Sequence, residues 1–238
     1  MMFEAIANAF NQGIITTVVT RMEGPVSAAV LIAGIVLSLL IGYLLGSFNF
    51  AMIVSKKMYG EDIREKGSKN AGTTNMMRTY GKKAAVLTFV GDILKAVVAV
   101  LIGSFIVGIL HGGYAAALGC VIGHVFPFLY GFKGGKGVAS AAAAILVLNP
   151  FAFLVVIGVF IVTVLLTRYV SLGSVLAAAV FPVITFYTYF GGSSAAPGSG
   201  FAFICAFAIS AIVIIKHRSN LKRLAHGTES KFSFKKSK

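Results

Sequence analysis

Apolar residues fall in blocks long enough to cross a bilayer, and polar residues gather between the blocks. The first block runs roughly from Val26 to Leu45, and a long polar loop follows it as far as Lys83. A second covers about Ala84–Leu110, interrupted by Asp92 and Lys95, and closes on a turn at His111-Gly112-Gly113. A third occupies Tyr114–Tyr130, and a glycine-rich turn separates it from a fourth, Val138–Leu148, which stops at Asn149-Pro150. The fifth block is Phe151–Thr167, the sixth runs from near Ser171 to Phe190, and the seventh is Phe201–Ile215. The fourth block would rise about 16 Å as a helix, against a hydrocarbon core of ~30 Å. It is therefore a half-span or one of a thinned, tilted pair, and residues 114–148 read as two full spans or as a re-entrant hairpin. Ahead of the first block, Phe3, Ile6, Ala7, Phe10 and Ile14 recur at helical spacing, which predicts an amphipathic surface segment.

The pattern predicts an all-α, polytopic integral membrane protein with seven transmembrane helices, some of them short. Residues 1–24 form an N-terminal amphipathic extension, residues 25–230 a single membrane-embedded domain, and residues 231–238 a basic tail. Composition agrees: 58% of the 238 residues are hydrophobic, and the mean hydropathy is +0.91. No basic n-region of a secretory signal precedes the first apolar stretch. Cys120 and Cys205 lie inside apolar runs and form neither a disulfide framework nor a metal pattern.

Charge orients the bundle. The formal net charge is +14 at pH 7, and every second loop is basic: 47–83, 131–137, 168–172 and the tail. The alternate loops near 111–113, 149–150 and 191–200 contain no Lys or Arg. By the positive-inside rule the N-terminus lies outside and the C-terminus in the cytoplasm.

That face collects four polar clusters. The first is Gly67-Ser68-Lys69-Asn70-Ala71-Gly72-Thr73-Thr74-Asn75 with Arg78, a set of donors suited to phosphate oxygens. It reads equally as a loop capped by Thr73, Thr74 or Asn75 as it enters a short helix. The second is Gly131-Phe132-Lys133-Gly134-Gly135-Lys136-Gly137 with His124. Glycines there let backbone N–H groups approach an anion beside Lys136, or they make a tight basic turn and nothing more. The turn is neither a Walker A loop nor a dinucleotide fingerprint. His124 is a helix-packing residue or part of the site. The third cluster is Ser171 and Ser174, one turn apart, with Ser171 read as a helix cap. The fourth is His217-Arg218-Ser219-Asn220 with Arg223 and Gly227-Thr228-Glu229. Within a span, Asp92 and Lys95 are spaced for a mutual ion pair facing the bundle, or for contact with substrate.

In order and spacing these clusters resemble the PlsY family of bacterial acyl-phosphate:glycerol-3-phosphate acyltransferases. The shared motifs extend from Gly46-Ser47-x-x-Phe50 through Gly67-Ser68-x-Asn70-x-Gly72-x-Thr74-Asn75, Arg78-x-x-Gly81 and Asp92-x-x-Lys95. They continue with Gly123-His124-x-x-Pro127, Phe132-Lys133-Gly134-Gly135-Lys136-Gly137, Ser171-Leu172-x-Ser174, and His217-Arg218-x-Asn220-x-x-Arg223 to Glu229. Lys69, Thr73 and Asn49 depart from the commoner glycine, alanine, and proline or threonine. A lysine at position 69 carries strain if φ there is positive.

The resemblance implies attack by the 1-hydroxyl of glycerol 3-phosphate on a fatty acyl phosphate, giving 1-acyl-glycerol 3-phosphate and inorganic phosphate. It implies Ser68, Arg78 and Lys136 as ligands of the glycerol 3-phosphate phosphate. Ser174, His217 and Asn220 become the catalytic set around the acyl phosphate, and Asn70, Thr74, His124, Gly134, Gly135 and Gly137 complete the anion sites. It also implies the bacterial cytoplasmic membrane, a cytoplasm-facing site, membrane lipid as surroundings, and an upstream acyl-phosphate-forming enzyme. No cofactor, metal or nucleic acid enters this reading. An acyl phosphate is already activated, so no covalent enzyme nucleophile is required. The resemblance also implies that a substrate phosphate takes the proton; the sequence, with only two aspartates and no His-x-x-x-x-Asp pair, shows no conventional general base. The rival expectation is a transporter or flippase for an anionic phosphorylated lipid precursor. Such a protein usually places polar groups at the bilayer midplane between related repeats, and no repeat is evident here.

Overall fold

The computed structural model describes residues 10–19, 25–191 and 195–231. Phe3, Ile6 and Ala7 of the amphipathic segment lie outside them, as does the basic tail beyond Lys231. Helices account for the regular structure of the described residues: α1 Ile14–Val19, α2 Pro25–Ser47, α3 Phe50–Tyr59, α4 Thr73–Tyr80 and α5 Lys82–Val107. Then come α6 Tyr114–Val125, α7 Val138–Leu148, α8 Pro150–Thr167, α9 Val170–Phe190, α10 Ser199–Lys216 and α11 Arg218–Ala225. Among the described residues, six helical stretches are long and apolar enough to cross a membrane. The fourth expected span, α7, is helical but only 11 residues long.

Two boundaries differ from expectation. The expected turn at 111–113 is a π-helical turn, Ile109–Gly113, that leads into α6. The chain reverses one step earlier, at Gly108, whose φ is 82°. The third apolar block stays helical only to Val125, because Pro127 has no N–H to continue it. Phe128–Tyr130 form a separate 3-10 turn.

The sequence sets which faces meet. On α2, Gly34, Ser38, Gly42 and Gly46 recur every fourth residue and so make one stripe. A Cβ on Gly42 would strike the Ala116 carbonyl, and one on Gly119 of α6 would strike the Leu39 carbonyl. The two helices therefore meet backbone to backbone, the small-residue packing that lets helices associate where lipid is as apolar as leucine. Larger side chains fill the other interior. Val100, Tyr114, Val121, Ile145, Phe181 and Ile209 form a buried cluster shared by α5 through α10. Leu166 and Ile204 point outward, 80% and 65% exposed, as lipid-facing positions do.

At the end of the bundle that carries the long polar loop, a second core of Ala51, Met52, Ile63, Ala71 and Met76 sits beneath that loop. Asn49, the departure noted above, caps α3: its Oδ1 accepts from the Met52 N–H at 3.2 Å. At the opposite end Thr16 of α1 donates to the Val107 carbonyl at 3.1 Å, and the rings of Phe10 and Phe105 meet edge to face at 5.7 Å.

Candidate active site

Below the polar end lies a buried ion pair. Asp92 and Lys95 stand one turn apart on α5 with Nζ and Oδ1 2.7 Å apart. Lys95 Nζ also donates to the carbonyls of Gly46 at 3.1 Å and Phe48 at 2.9 Å. These belong to the end of α2, where carbonyls lack helical donors and a cation is favoured. His124 Nδ1 lies 3.0 Å from the same Nζ. The pair thus faces the bundle and fastens α5 to α2 and α6, while Asp92 and His124 also line the cavity above.

The glycine-rich turn folds back onto the end of α6. The N–H of Gly134 donates to Val125 O and that of Gly135 to His124 O, both at 3.1 Å. Those donors are engaged within the protein, which corrects the expectation that they cradle an anion. The glycines serve close packing instead: a Cβ at 134 would hit the His124 carbonyl, and one at 135 would hit His124 Nε2 and the Ala71 carbonyl. Gly137, at φ 80°, turns the chain into α7. Between them Lys136 extends its ammonium to Asn220 Oδ1 at 2.5 Å. Burial holds that ammonium down at about 8, with the positive charges of Arg223 and Arg78 acting in the same direction.

Asn75 organises the loop before α4. Its Oδ1 accepts from the Ser68 N–H at 2.9 Å. Its Nδ2 reaches the carbonyls of Ile63, Lys66 and Asn70 at 3.2, 3.0 and 3.1 Å. Asn75 is therefore a loop brace, not a helix cap. α4 begins after Gly72 with no side-chain cap, and Thr73 Oγ1 is buried without a protein partner among the described residues. An uncapped helix start beside Ser68, Asn70, Thr74 and Arg78 is suited to an anion. Lys69 adopts φ 58°, so the strained conformation anticipated for that position is present.

From the far end of the chain, Glu229 ties together three side chains of α9 and α11. Its Oε1 accepts from Ser171 Oγ and from Asn220 Nδ2, each at 2.7 Å. Its Oε2 accepts from Arg223 Nε at 2.6 Å. Ser171 is thus not the cap expected of it; its hydroxyl crosses to Glu229. Burial works against the Glu229 carboxylate, but the bonds from Asn220, Ser171 and Arg223 hold its pKa below the ordinary range. Ser174 donates back along α9 to the Val170 carbonyl at 2.9 Å. His217 Nδ1 bonds to the Val213 carbonyl at 2.8 Å. A carbonyl only accepts, so Nδ1 carries the proton and Nε2 keeps its lone pair. Burial pushes this imidazole down to about 4, and the nearby Lys136 charge acts in the same direction. His217 is neutral at physiological pH.

These pieces enclose one cavity of about 1220 Å³. Eleven of the twelve candidate residues line it; Gly135 does not. Its polar end also receives Lys69, Lys216, Arg218 and Arg223, while its two acids, Asp92 and Glu229, are already paired with Lys95 and Arg223. The polar end is therefore electropositive. An apolar arm continues between Ala142 and Leu146 of α7, Phe153 and Phe160 of α8, and Ala177 and Phe181 of α9. Glu229 appears in the sequence motif without an assigned role. Its partners, up to 58 positions away, are what give it one.

The comparisons with known proteins agree with this geometry. Residues 36–227 match the family model described as glycerol-3-phosphate acyltransferase. The chain is 44% identical over 201 residues to a glycerol-3-phosphate acyltransferase of Clostridioides difficile (strain 630), covering 82% of this chain and 94% of that protein. It is 45% identical over 191 residues to the protein of the same name from Trichlorobacter lovleyi, covering 80% and 93%. The crystal structure of PlsY (YgiH), an integral membrane glycerol 3-phosphate acyltransferase in its glycerol 3-phosphate form, superposes with a TM-score of 0.72 at 33% identity. That match covers 84% of this chain and 96% of the crystallised one. A lysophosphatidic acid form of PlsY superposes with a TM-score of 0.70. The chain belongs to the glycerol-3-phosphate acyltransferase family.

Proposed function

We propose that this protein transfers a fatty acyl group from acyl phosphate to the 1-hydroxyl of glycerol 3-phosphate, at the cytoplasmic face of a bacterial cytoplasmic membrane that it crosses seven times. The observation that carries the reading is the cavity itself. It joins an electropositive, phosphate-ready end to an arm lined by apolar residues of α7, α8 and α9. Relatives named for glycerol 3-phosphate supply the acceptor, and the acyl-phosphate donor is the reading that best fits the site's chemistry.

In this mechanism Ser68, Arg78 and Lys136, with the open start of α4, hold the acceptor phosphate. The acceptor hydroxyl attacks the acyl carbonyl, the carbonyl carbon–phosphate oxygen bond breaks, and phosphate departs with the bonding pair. The hydroxyl proton ends on that phosphate. Neutral His217 offers Nε2 as a hydrogen-bond acceptor that orients the hydroxyl, too weakly basic to hold the proton itself. Asn220 is oriented by its bonds to Lys136 and Glu229. Cys120 and Cys205 lie outside the cavity lining, and Ser174 has its hydroxyl turned to Val170, so direct transfer is favoured over an acyl-enzyme.

The test is phosphate release by purified protein in lipid–detergent micelles given palmitoyl phosphate and glycerol 3-phosphate. Phosphate release should require both substrates, and 1-acyl-glycerol 3-phosphate, measured in parallel, should not form when palmitoyl-CoA replaces palmitoyl phosphate. Equal use of the thioester would refute the donor assignment.

A further inference from the structure

The acceptor phosphate site is assembled from two loops far apart in the sequence, and the structure contains one side chain that joins them outside the cavity. Arg64 reaches across from the loop before α4 and donates through Nη1 to the carbonyls of Tyr130 at 2.8 Å and Lys133 at 3.2 Å. These carbonyls flank Gly131 and Phe132, both at positive φ (66° and 59°). The guanidinium is itself held in place by Asp62, with Nε 3.0 Å from Oδ1 and Nη2 2.7 Å from Oδ2. The Asp62 carboxylate also accepts the Arg64 backbone N–H at 3.0 Å.

On one side of this bridge, Asn75 binds the carbonyls of Ile63 and Lys66 and the N–H of Ser68. On the other side, three residues after Lys133, stands Lys136. The bridge therefore ties the backbone that presents Ser68 to the backbone that presents Lys136. An exposed ion pair alone contributes little. A planar fork fixed by one carboxylate and bonded to two carbonyls sets a distance, and a lysine cannot reproduce it.

We propose that Arg64 is a positioning residue for acyl transfer, setting the spacing between the Ser68 and Lys136 halves of the acceptor phosphate site. This rests on the acyltransferase reading above.

The experiment compares the wild type with Arg64→Gln and Arg64→Lys, measuring KM for glycerol 3-phosphate, KM for palmitoyl phosphate, kcat and melting temperature. The Kd for glycerol 3-phosphate by calorimetry is measured in parallel. Both variants should raise KM and Kd for glycerol 3-phosphate by about tenfold, the scale expected when a binding geometry loosens. The KM for palmitoyl phosphate should stay within about twofold. Lys66→Ala, which removes only the exposed pair to Glu61 at 3.0 Å, should match the wild type. An unchanged Kd in Arg64→Gln, full rescue by Arg64→Lys, or a loss confined to kcat and melting temperature would overturn the positioning role. A wild type that binds glycerol 3-phosphate but transfers no acyl group would overturn the acyltransferase reading instead, with the clamp still judged by Kd.

Discussion

The Lys136 ammonium donates to the Asn220 side-chain carbonyl at 2.5 Å, across 84 positions of sequence. Asn220 passes the contact on to Glu229 through its amide. The cation of the glycine-rich loop is thus aimed by the last helix before any anion arrives.

Removing that cation should separate binding from folding. Lys136→Ala is expected to lower kcat/KM for glycerol 3-phosphate at least tenfold, since a charge-assisted bond contributes about 1.5–3 kcal/mol. The melting temperature should change little. In wild type, an ammonium held at about 8 loses its charge as the medium becomes alkaline. A profile of kcat/KM should therefore fall above pH of about 8. The corresponding limb of kcat should lie at higher pH, because bound phosphate stabilises the ammonium.

His217 should report in the acid range. Its folded value of about 4 lies below its ordinary 6.5, so the unfolded chain takes up a proton that the folded one resists. Its contribution to stability is lost as pH falls from about 6.5 towards about 4. Melting curves of wild type and His217→Gln measured across that window should converge at the acid end. Parallel curves would show that the imidazole is not held neutral.

Glu229→Gln keeps the shape but removes the charge that collects Ser171, Asn220 and Arg223. Hydrogen bonds to a charged group contribute about 1.5–3 kcal/mol, so a clear drop in melting temperature is expected together with a large loss of turnover. Arg223→Gln removes only the bond from the most exposed of the three partners and should cost less. The reverse ranking would count against Glu229 as the hub.

A valine at Gly42 has nowhere to go, since the first added carbon meets the Ala116 backbone. Gly42→Val should fail to yield monodisperse protein by size-exclusion chromatography. Gly200→Val, at a position where an added Cβ meets nothing within 4 Å, is the matched control and should behave as wild type.

Lys69→Gly relieves a side chain held at φ 58°. Left-handed backbone in a non-glycine residue costs on the order of 1 kcal/mol, so a higher melting temperature is expected. The charge lost from the cavity rim should at the same time weaken the salt dependence of kcat/KM for glycerol 3-phosphate. A lower melting temperature would show that the lysine gains more from its contacts than its backbone costs.

Run length and turn residues make most of the helices legible in the sequence. The α7 and α9 boundaries fall where Gly137, Asn149-Pro150 and Arg168 interrupt the apolar blocks. Ser68, Arg78, Lys136, His217 and Asn220 are legible as a set through the family motifs, within clusters whose residue types suit phosphate. What local pattern does not carry is long-range pairing. Ser171 looks like a cap until Glu229 comes to meet it. Arg64 looks like one of several loop cations until the Tyr130 and Lys133 carbonyls are beside it. Gly134 and Gly135 look like anion donors because glycine serves close packing and open backbone equally well. The π turn escapes notice because His111-Gly112-Gly113 has the composition of an ordinary loop.

The seam where Gly42 and Gly119 bring two backbones together has a mechanical consequence. Without a layer of side chains to slide over, α2 and α6 move as one strut, and Lys95 locks α5 to its end. The wall that carries His124 and Asp92 cannot yield to a passing substrate. On the proposed reading the acyl chain lies against the opposite wall, where Leu146, Phe153 and Phe160 line the cavity. The proposed acyltransferase would thus be stiff around its phosphate end and would leave rotamer freedom to its hydrocarbon arm.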